Sequence, residues 1–182
     1  VRQRPLDGVL EEIRMLQKDY GVRTLDFVDE NFVFDNEYAT DFCERLLRED
    51  VKIAWNCPYG LRLDRLTEPL VKLMERSGCY AVSVGIESGS DRILEMVRKS
   101  VDVATLRDKM IMLKRATNMT VQGYFVMGFP TETREEVEAT IDFACLLPLD
   151  IAVFHPLRVT PGTEIYDDLV AGGFIRPCVG YD

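Results

Sequence analysis

The sequence predicts an α/β fold built on parallel strands, and three observations carry that expectation. Five short runs are apolar or β-branched and alternate poorly in polarity: Thr24–Val28, Lys52–Trp55, Tyr80–Gly85, Thr120–Met127 and Asp150–Phe154. Strands covered on both faces read this way. Helical apolar stripes fill the intervals between them. The runs start at residues 24, 52, 80, 120 and 150, so they recur after 28, 28, 40 and 30 residues. That is the spacing of consecutive βα units around one sheet.

The elements follow in chain order. Val9, Leu10, Ile13 and Leu16 repeat at helical spacing, and Gly21 stands where a helix C-terminus takes a left-handed residue. Ala39, Phe42, Cys43, Leu46 and Leu47 form the stripe of a second helix. Leu70, Val71 and Met74 form a third, closed by Ser77-Gly78. The long interval holds a doubled helix: Ile93, Leu94 and Val97, then Leu106, Met110 and Leu113. Val137, Ile141, Ala144 and Cys145 mark the last helix, entered through the capping box Thr133-x-x-Glu136. There is no low-complexity segment and no internal linker.

Composition narrows the function. The chain has 182 residues, 47% hydrophobic and 29% charged, enough to bury the core of one domain. Its 22 basic and 31 acidic residues leave a net charge of −9. Binding to a nucleic-acid backbone rests on Lys and Arg displacing counterions, so no nucleic-acid partner is expected. No apolar run approaches the length of a membrane span. The five cysteines, at 43, 57, 79, 145 and 178, include no Cys-x-x-Cys pair. They read as small buried or half-buried thiols in a reducing cytoplasm, with no metal site among them.

In parallel α/β folds ligands gather at the carboxyl ends of strands. Those ends read Asp29-Glu30-Asn31-Phe32, Asn56-Cys57-Pro58-Tyr59-Gly60 with Arg62 following, Gly85-Ile86-Glu87-Ser88-Gly89-Ser90, Gly128-Phe129-Pro130-Thr131-Glu132-Thr133, and His155 with Arg158 and Pro161-Gly162-Thr163 beyond it. Each has a plain alternative. Asp29 and Asn31 suit turn hydrogen bonds, Glu87 and Ser88 suit a helix cap, and Gly85 and Gly89 suit tight turns. The single histidine, His155, suits a loop hydrogen bond. Five polar ends around one mouth nonetheless favour a ligand site. No Gly-x-Gly-x-x-Gly or Gly-Lys-Ser/Thr phosphate loop occurs, nor a Gly-x-Ser-x-Gly elbow, and no catalytic residue is singled out.

Taken together, these segments resemble the radical S-adenosylmethionine superfamily, and more narrowly its class with cobalamin-binding domains, the group containing the anaerobic Mg-protoporphyrin cyclase. The resemblance rests on Arg4-Pro5 with Val9-Leu10-Glu11-Glu12-Ile13, Phe27-Val28-Asp29-Glu30-Asn31-Phe32, Trp55-Asn56-Cys57, Gly78-Cys79, Val84 to Ser90, Phe125 to Thr133, and Thr160-Pro161-Gly162-Thr163. It implies a partial (β/α) TIM-like barrel, here truncated at the N-terminus. At its mouth a 4Fe-4S cluster would cleave S-adenosylmethionine reductively to start radical chemistry on a small-molecule substrate, fed by an electron donor. It further implies cobalamin in an upstream domain. By position it implies that Asp29, Glu30 and Asn31 hold the methionine amino group. Glu87 and Ser88 lie near the ribose and methionine carboxylate, with Arg62 as a weaker carboxylate partner. Met127 and Gly128 approach the adenosine, and the backbone at Pro156 and Leu157 meets adenine.

One departure matters. The family's Cys-x₃-Cys-x₂-Cys cluster motif is absent, and none of the five cysteines has the spacing to replace it. The expectation is therefore that residues 1–182 are an incomplete core domain whose first strand and cluster loop lie upstream, inactive alone. Two rivals stand beside this reading: a doubly wound nucleotide- or phosphate-binding domain, and a non-catalytic barrel relic acting as a binding module.

Overall fold

The computed structural model describes residues 3–29 and 31–177. Helix α1 (Leu6–Tyr20) opens the described chain and ends on Gly21 in the left-handed conformation, whose N–H closes on Gln17 and Leu16 carbonyls. Then follow β1 (Thr24–Asp26), α2 (Asn36–Arg48), β2 (Ala54–Leu61), a 3-10 turn (Leu63–Arg65), α3 (Glu68–Arg76), β3 (Cys79–Glu87), α4 (Asp91–Met96), α5 (Val103–Ala116), β4 (Thr120–Met127), α6 (Arg134–Leu146), β5 (Ile151–Pro156) and α7 (Glu164–Ala171).

All strand pairs are parallel, and the sheet order is β1-β2-β3-β4-β5. Right-handed crossovers between sequential parallel neighbours put every connecting helix on the same face. The strands thus wind in one direction, as a sector of a barrel. A doubly wound sheet reverses its order about the first strand, so that rival is excluded.

The helix-covered face holds the core. Trp55 and Phe42 are fully buried, and with Phe27 and Phe32 they form a cluster of rings 4.9–5.7 Å apart. The Trp55 indole N–H donates to the Ser77 carbonyl at 3.2 Å, so its polar edge is satisfied inside the core. Because Phe27 and Phe32 flank the turn after β1, the cluster also anchors that turn. Cys43, Cys57 and Cys79 are buried on this side. Desolvation pushes all three thiols up, Cys43 to about 11 and the other two further.

Four features depart from the sequence expectations. Strand β2 does not stop at Trp55 but runs on to Leu61 through a bulge: Cys57 to Leu61 on β2 spans what Val82 to Val84 spans on β3. The Asn56–Gly60 segment is therefore strand, not loop. Strand β1 stops at Asp26 rather than running to Val28; its outer edge has no strand partner among the described residues, as expected. Helix α7 was not foreseen; none of its residues is buried. Finally, Cys145 is exposed, because α6 buries the face carrying Phe143 and Ala144 while Ile141 stays 43% exposed on the other side. No helix among the described residues is long and apolar enough to cross a membrane.

Candidate functional site

Side chains on the open face, opposite the helices, are the ones available to a ligand. Gly85 of β3 sits there. A Cβ added to it would lie 2.8 Å from Glu87 Oε1 and 3.0 Å from Lys99 Nζ. Glu87 and Lys99 thus lie across a strand position that carries no side chain. Their ion pair is 2.9 Å long, with the two side chains 26% and 18% exposed. The backbone delivers Glu87 by a tight turn: its φ is +70°, and the Ser88 N–H closes on the Ile86 carbonyl at 3.0 Å. This is a three-residue γ-turn with a non-glycine residue at positive φ, a conformation sparsely populated and concentrated at functional sites. Lys99 comes from the α4–α5 connection, twelve residues along the chain.

Ser88 requires a correction. Its side chain does not face the mouth; it is fully buried against α6. Thr140 Oγ1 has one proton, which goes to the Glu136 carbonyl at 2.9 Å. Ser88 must therefore donate to Thr140 at 3.0 Å, while accepting from the Ser90 N–H at 3.1 Å. The hydroxyl is consumed in fastening the strand-end turn to α6. The same junction is reinforced by Arg92, whose two nitrogens meet Glu136 at 2.6 and 2.7 Å. That guanidinium, with the Thr133 N–H, pulls the Glu136 carboxyl down to about 2.

Arg62 is also engaged locally. Its Nε and Nη2 grip Asp64 at 3.1 and 2.9 Å, which holds the Asp64 carboxyl below its usual value despite burial. Lys99, rather than Arg62, is the cation the fold brings to the β3 strand end. Nothing in the sequence pattern pointed to Lys99, because it lies in an irregular connection.

Asp29 and Asn31 line a groove of about 380 Å³ between α1 and the free edge of β1, together with Asp26, Phe34 and Tyr38. Asn31 Oδ1 is buried there with no partner among the described residues. Glu30 lies outside the described residues. No direct hydrogen bond among the described residues links this group to Glu87. Met127, Gly128, Pro156 and Leu157 do come together: Met127 pairs with Pro156, and the Leu157 N–H reaches the Met127 carbonyl at 2.7 Å. The Gly128 and Phe129 N–H groups are taken by Glu132 Oε2 at 2.6 and 3.2 Å. Only the remaining backbone groups of this rim are left for a ligand.

Lower on the open face, Asn56 Nδ2 donates to Asp26 Oδ1 at 2.5 Å and to the Tyr80 hydroxyl at 2.7 Å. His155 lies beside Tyr124, with ring centroids 5.7 Å apart. Asn56 and His155 stand among the polar strand ends of the sequence, whereas Asp26 and Tyr80 lie within strand runs and do not.

The residues fit S-adenosylmethionine: a carboxylate–ammonium pair over a bare strand position suits its zwitterionic methionine end. They do not fit an iron–sulfur cluster. Among the described residues no three His, Cys, Asp or Glu side chains are placed to hold a metal ion, and the three buried thiols face the helices.

Comparison with known proteins bears on the same point. The chain is 34% identical over 174 residues to an uncharacterized methyltransferase, PH0819, of Pyrococcus horikoshii, covering 96% of this chain and 37% of that protein. It is 29% identical to the cytidylyl-2-hydroxyethylphosphonate methyltransferase of Streptomyces wedmorensis, covering 97% of this chain and 34% of that one. Its fold matches TsrM, a radical S-adenosylmethionine methyltransferase from Kitasatospora setae solved with cobalamin and a [4Fe-4S] cluster, at a TM-score of 0.79 and 19% identity, over 93% of this chain and 34% of that chain. The chain thus spans about a third of the length of these relatives. The family model described as the radical SAM superfamily matches residues 1–144. With sequentially ordered parallel strands and a polar mouth where that family's motifs fall, this chain belongs to the radical S-adenosylmethionine superfamily.

Proposed function

We propose that these residues form the S-adenosylmethionine-holding part of a longer radical enzyme that cleaves the cofactor reductively and starts radical chemistry on a small-molecule substrate. The observation that carries this reading is the Glu87–Lys99 pair lying over Gly85. Lys99 is the partner for the methionine carboxylate. Glu87, with Asp29 and Asn31 beyond it, supplies acceptors for the ammonium and the ribose hydroxyls. The strand ends at Met127–Gly128 and Pro156–Leu157 form the adenosine side. In the ligand-free protein Glu87 and Lys99 satisfy each other, and a zwitterion replaces each partner with one of like charge.

In this reading the cluster and cobalamin are held by parts of the protein beyond these residues, an electron donor feeds the cluster, and no nucleic acid is bound. The enzyme works in the cytoplasm, where thiols such as the exposed Cys145 stay reduced.

Calorimetry with S-adenosylhomocysteine on the full-length, cluster-loaded enzyme tests the assignment. Saturable one-to-one binding is expected, weakened by about tenfold or more in Lys99→Ala and Glu87→Gln, since each leaves one end of the zwitterion unpaired. Absence of binding, or variants that bind like the parent, overturns it. The same experiment separates an enzyme from a barrel relic, which has no reason to bind the nucleoside.

A further inference from the structure

We propose that Tyr124 is a positioning residue for this site: it spans three strands and holds the β2 bulge that forms the floor beside the Glu87–Lys99 pair. The inference rests on the assignment of that pair as the cofactor site.

Tyr124 belongs to β4 and pairs in register with Gly85 of β3. Its neighbour Gly123 faces the helices, since a Cβ there would meet Leu149 and Ile86. Tyr124 therefore points to the open face. Its hydroxyl donates to the Pro58 carbonyl at 2.9 Å. Pro58 is on β2, on the far side of β3, so the ring crosses β3 next to Gly85, where no side chain stands in the way.

Pro58 sits in the bulge between Cys57 and Leu61, where the β2–β3 register slips. A bulge leaves residues outside the ladder, so its shape needs another fastening. The bulge contains Gly60 at φ +101°, a conformation that glycine adopts without penalty. A Cβ on Gly60 would point at the Gly85 backbone nitrogen, 3.9 Å away. The bulge thus brings one bare position against another, and the Glu87–Lys99 pair lies on the second of them. Tyr124 fixes the bulge from above, and its ring is in turn flanked by His155. A tyrosine hydroxyl donating to a carbonyl inside a bulge, rather than to solvent, is how a floor keeps its shape without a side chain of its own.

Tyr124→Phe removes the hydroxyl and keeps the ring. In the full-length enzyme the expected result is roughly five- to tenfold weaker S-adenosylhomocysteine binding at an almost unchanged unfolding midpoint. In a Lys99→Ala background the same substitution should have little further effect, because both act on one locus; additive losses contradict the proposal. Amide hydrogen exchange supplies a readout free of ligand: residues 59–61 should exchange faster in Tyr124→Phe, with the rest of β2 unaffected. Parent-like exchange there, or parent-like affinity, overturns the role of Tyr124. If the parent itself fails to bind S-adenosylhomocysteine, the cofactor assignment falls, and the exchange result alone still decides whether Tyr124 holds the bulge.

Discussion

Replacing Gly89 with alanine adds one methyl group at a close contact between the β3 strand-end turn and α6. A Cβ at Gly89 would lie 2.6 Å from the Ala139 carbonyl oxygen, 2.8 Å from Phe143 Cβ and 2.9 Å from Thr140 Cα. Two of these atoms are α6 backbone and the third is anchored directly to it, so no side-chain rotation relieves the clash. The helix must move away from the turn. Overpacking of this kind costs about 1–3 kcal/mol. The displacement also stretches the part-buried Gly89 N–H to Thr140 bond and the buried Ser88–Thr140 bond, both 3.0 Å, each contributing about 0.5–1.5 kcal/mol. The expected loss is about 2–6 kcal/mol in urea unfolding by linear extrapolation. Cofactor affinity should fall with it, because Ser88 and Glu87 share the turn that α6 holds. A Gly89→Ala protein within about 0.5 kcal/mol of the parent, the ordinary range for a tolerated surface change, would refute the claim that Gly89 is there for close helix approach.

Other consequences are open to direct measurement. Ser88→Ala should lower stability by about 1 kcal/mol through its lost bonds and weaken S-adenosylhomocysteine binding less than Lys99→Ala does, since the hydroxyl holds the turn without facing the ligand. Glu136 titrates near 2 in the folded protein against an ordinary 4.5. Its contribution is therefore present above pH 4.5 and lost as pH falls through 2, so Glu136→Gln should have a lower urea midpoint at pH 7 and converge on the parent in acid. Trp55→Ala should cost about 3–5 kcal/mol by opening a cavity among Phe27, Phe32 and Phe42, read by thermal or urea unfolding. Brief alkylation of the native protein, mapped by mass spectrometry, should label Cys145 and spare Cys43, Cys57 and Cys79, whose thiols burial keeps protonated.

What was legible in the sequence follows from how locally each feature is determined. The expected bounds of β4 match the observed ones because six of the eight residues of Thr120–Met127 are apolar or β-branched, all but Gln122 and Gly123. The Thr133–Glu136 capping box is as local, and both of its hydrogen bonds form. The sequence pattern ends β2 at Trp55 because Asn56, Pro58 and Gly60 are turn formers by composition, whereas the strand runs to Leu61. A bulge uses the same residues inside a strand, and only the partner strand distinguishes the two cases. The site was legible to the extent that one strand end carries it. Glu87 stood out as a carboxylate after an apolar run, whereas its partner Lys99 lies past α4 in a segment with no periodicity. Ser88 shows the converse. A polar residue beside Glu87 looks like part of the mouth, but the γ-turn at Glu87 sends the next side chain under the sheet's end toward Thr140, a residue fifty-two positions away. Tyr124 shows the limit most plainly. In sequence it is one aromatic in a strand; its role depends on an absent side chain at Gly85 and a carbonyl at Pro58, sixty-six residues distant. Local chemistry thus picks out polar side chains at strand ends better than it picks out the residues that hold them in place, since holding is done by contacts that only the assembled sheet creates.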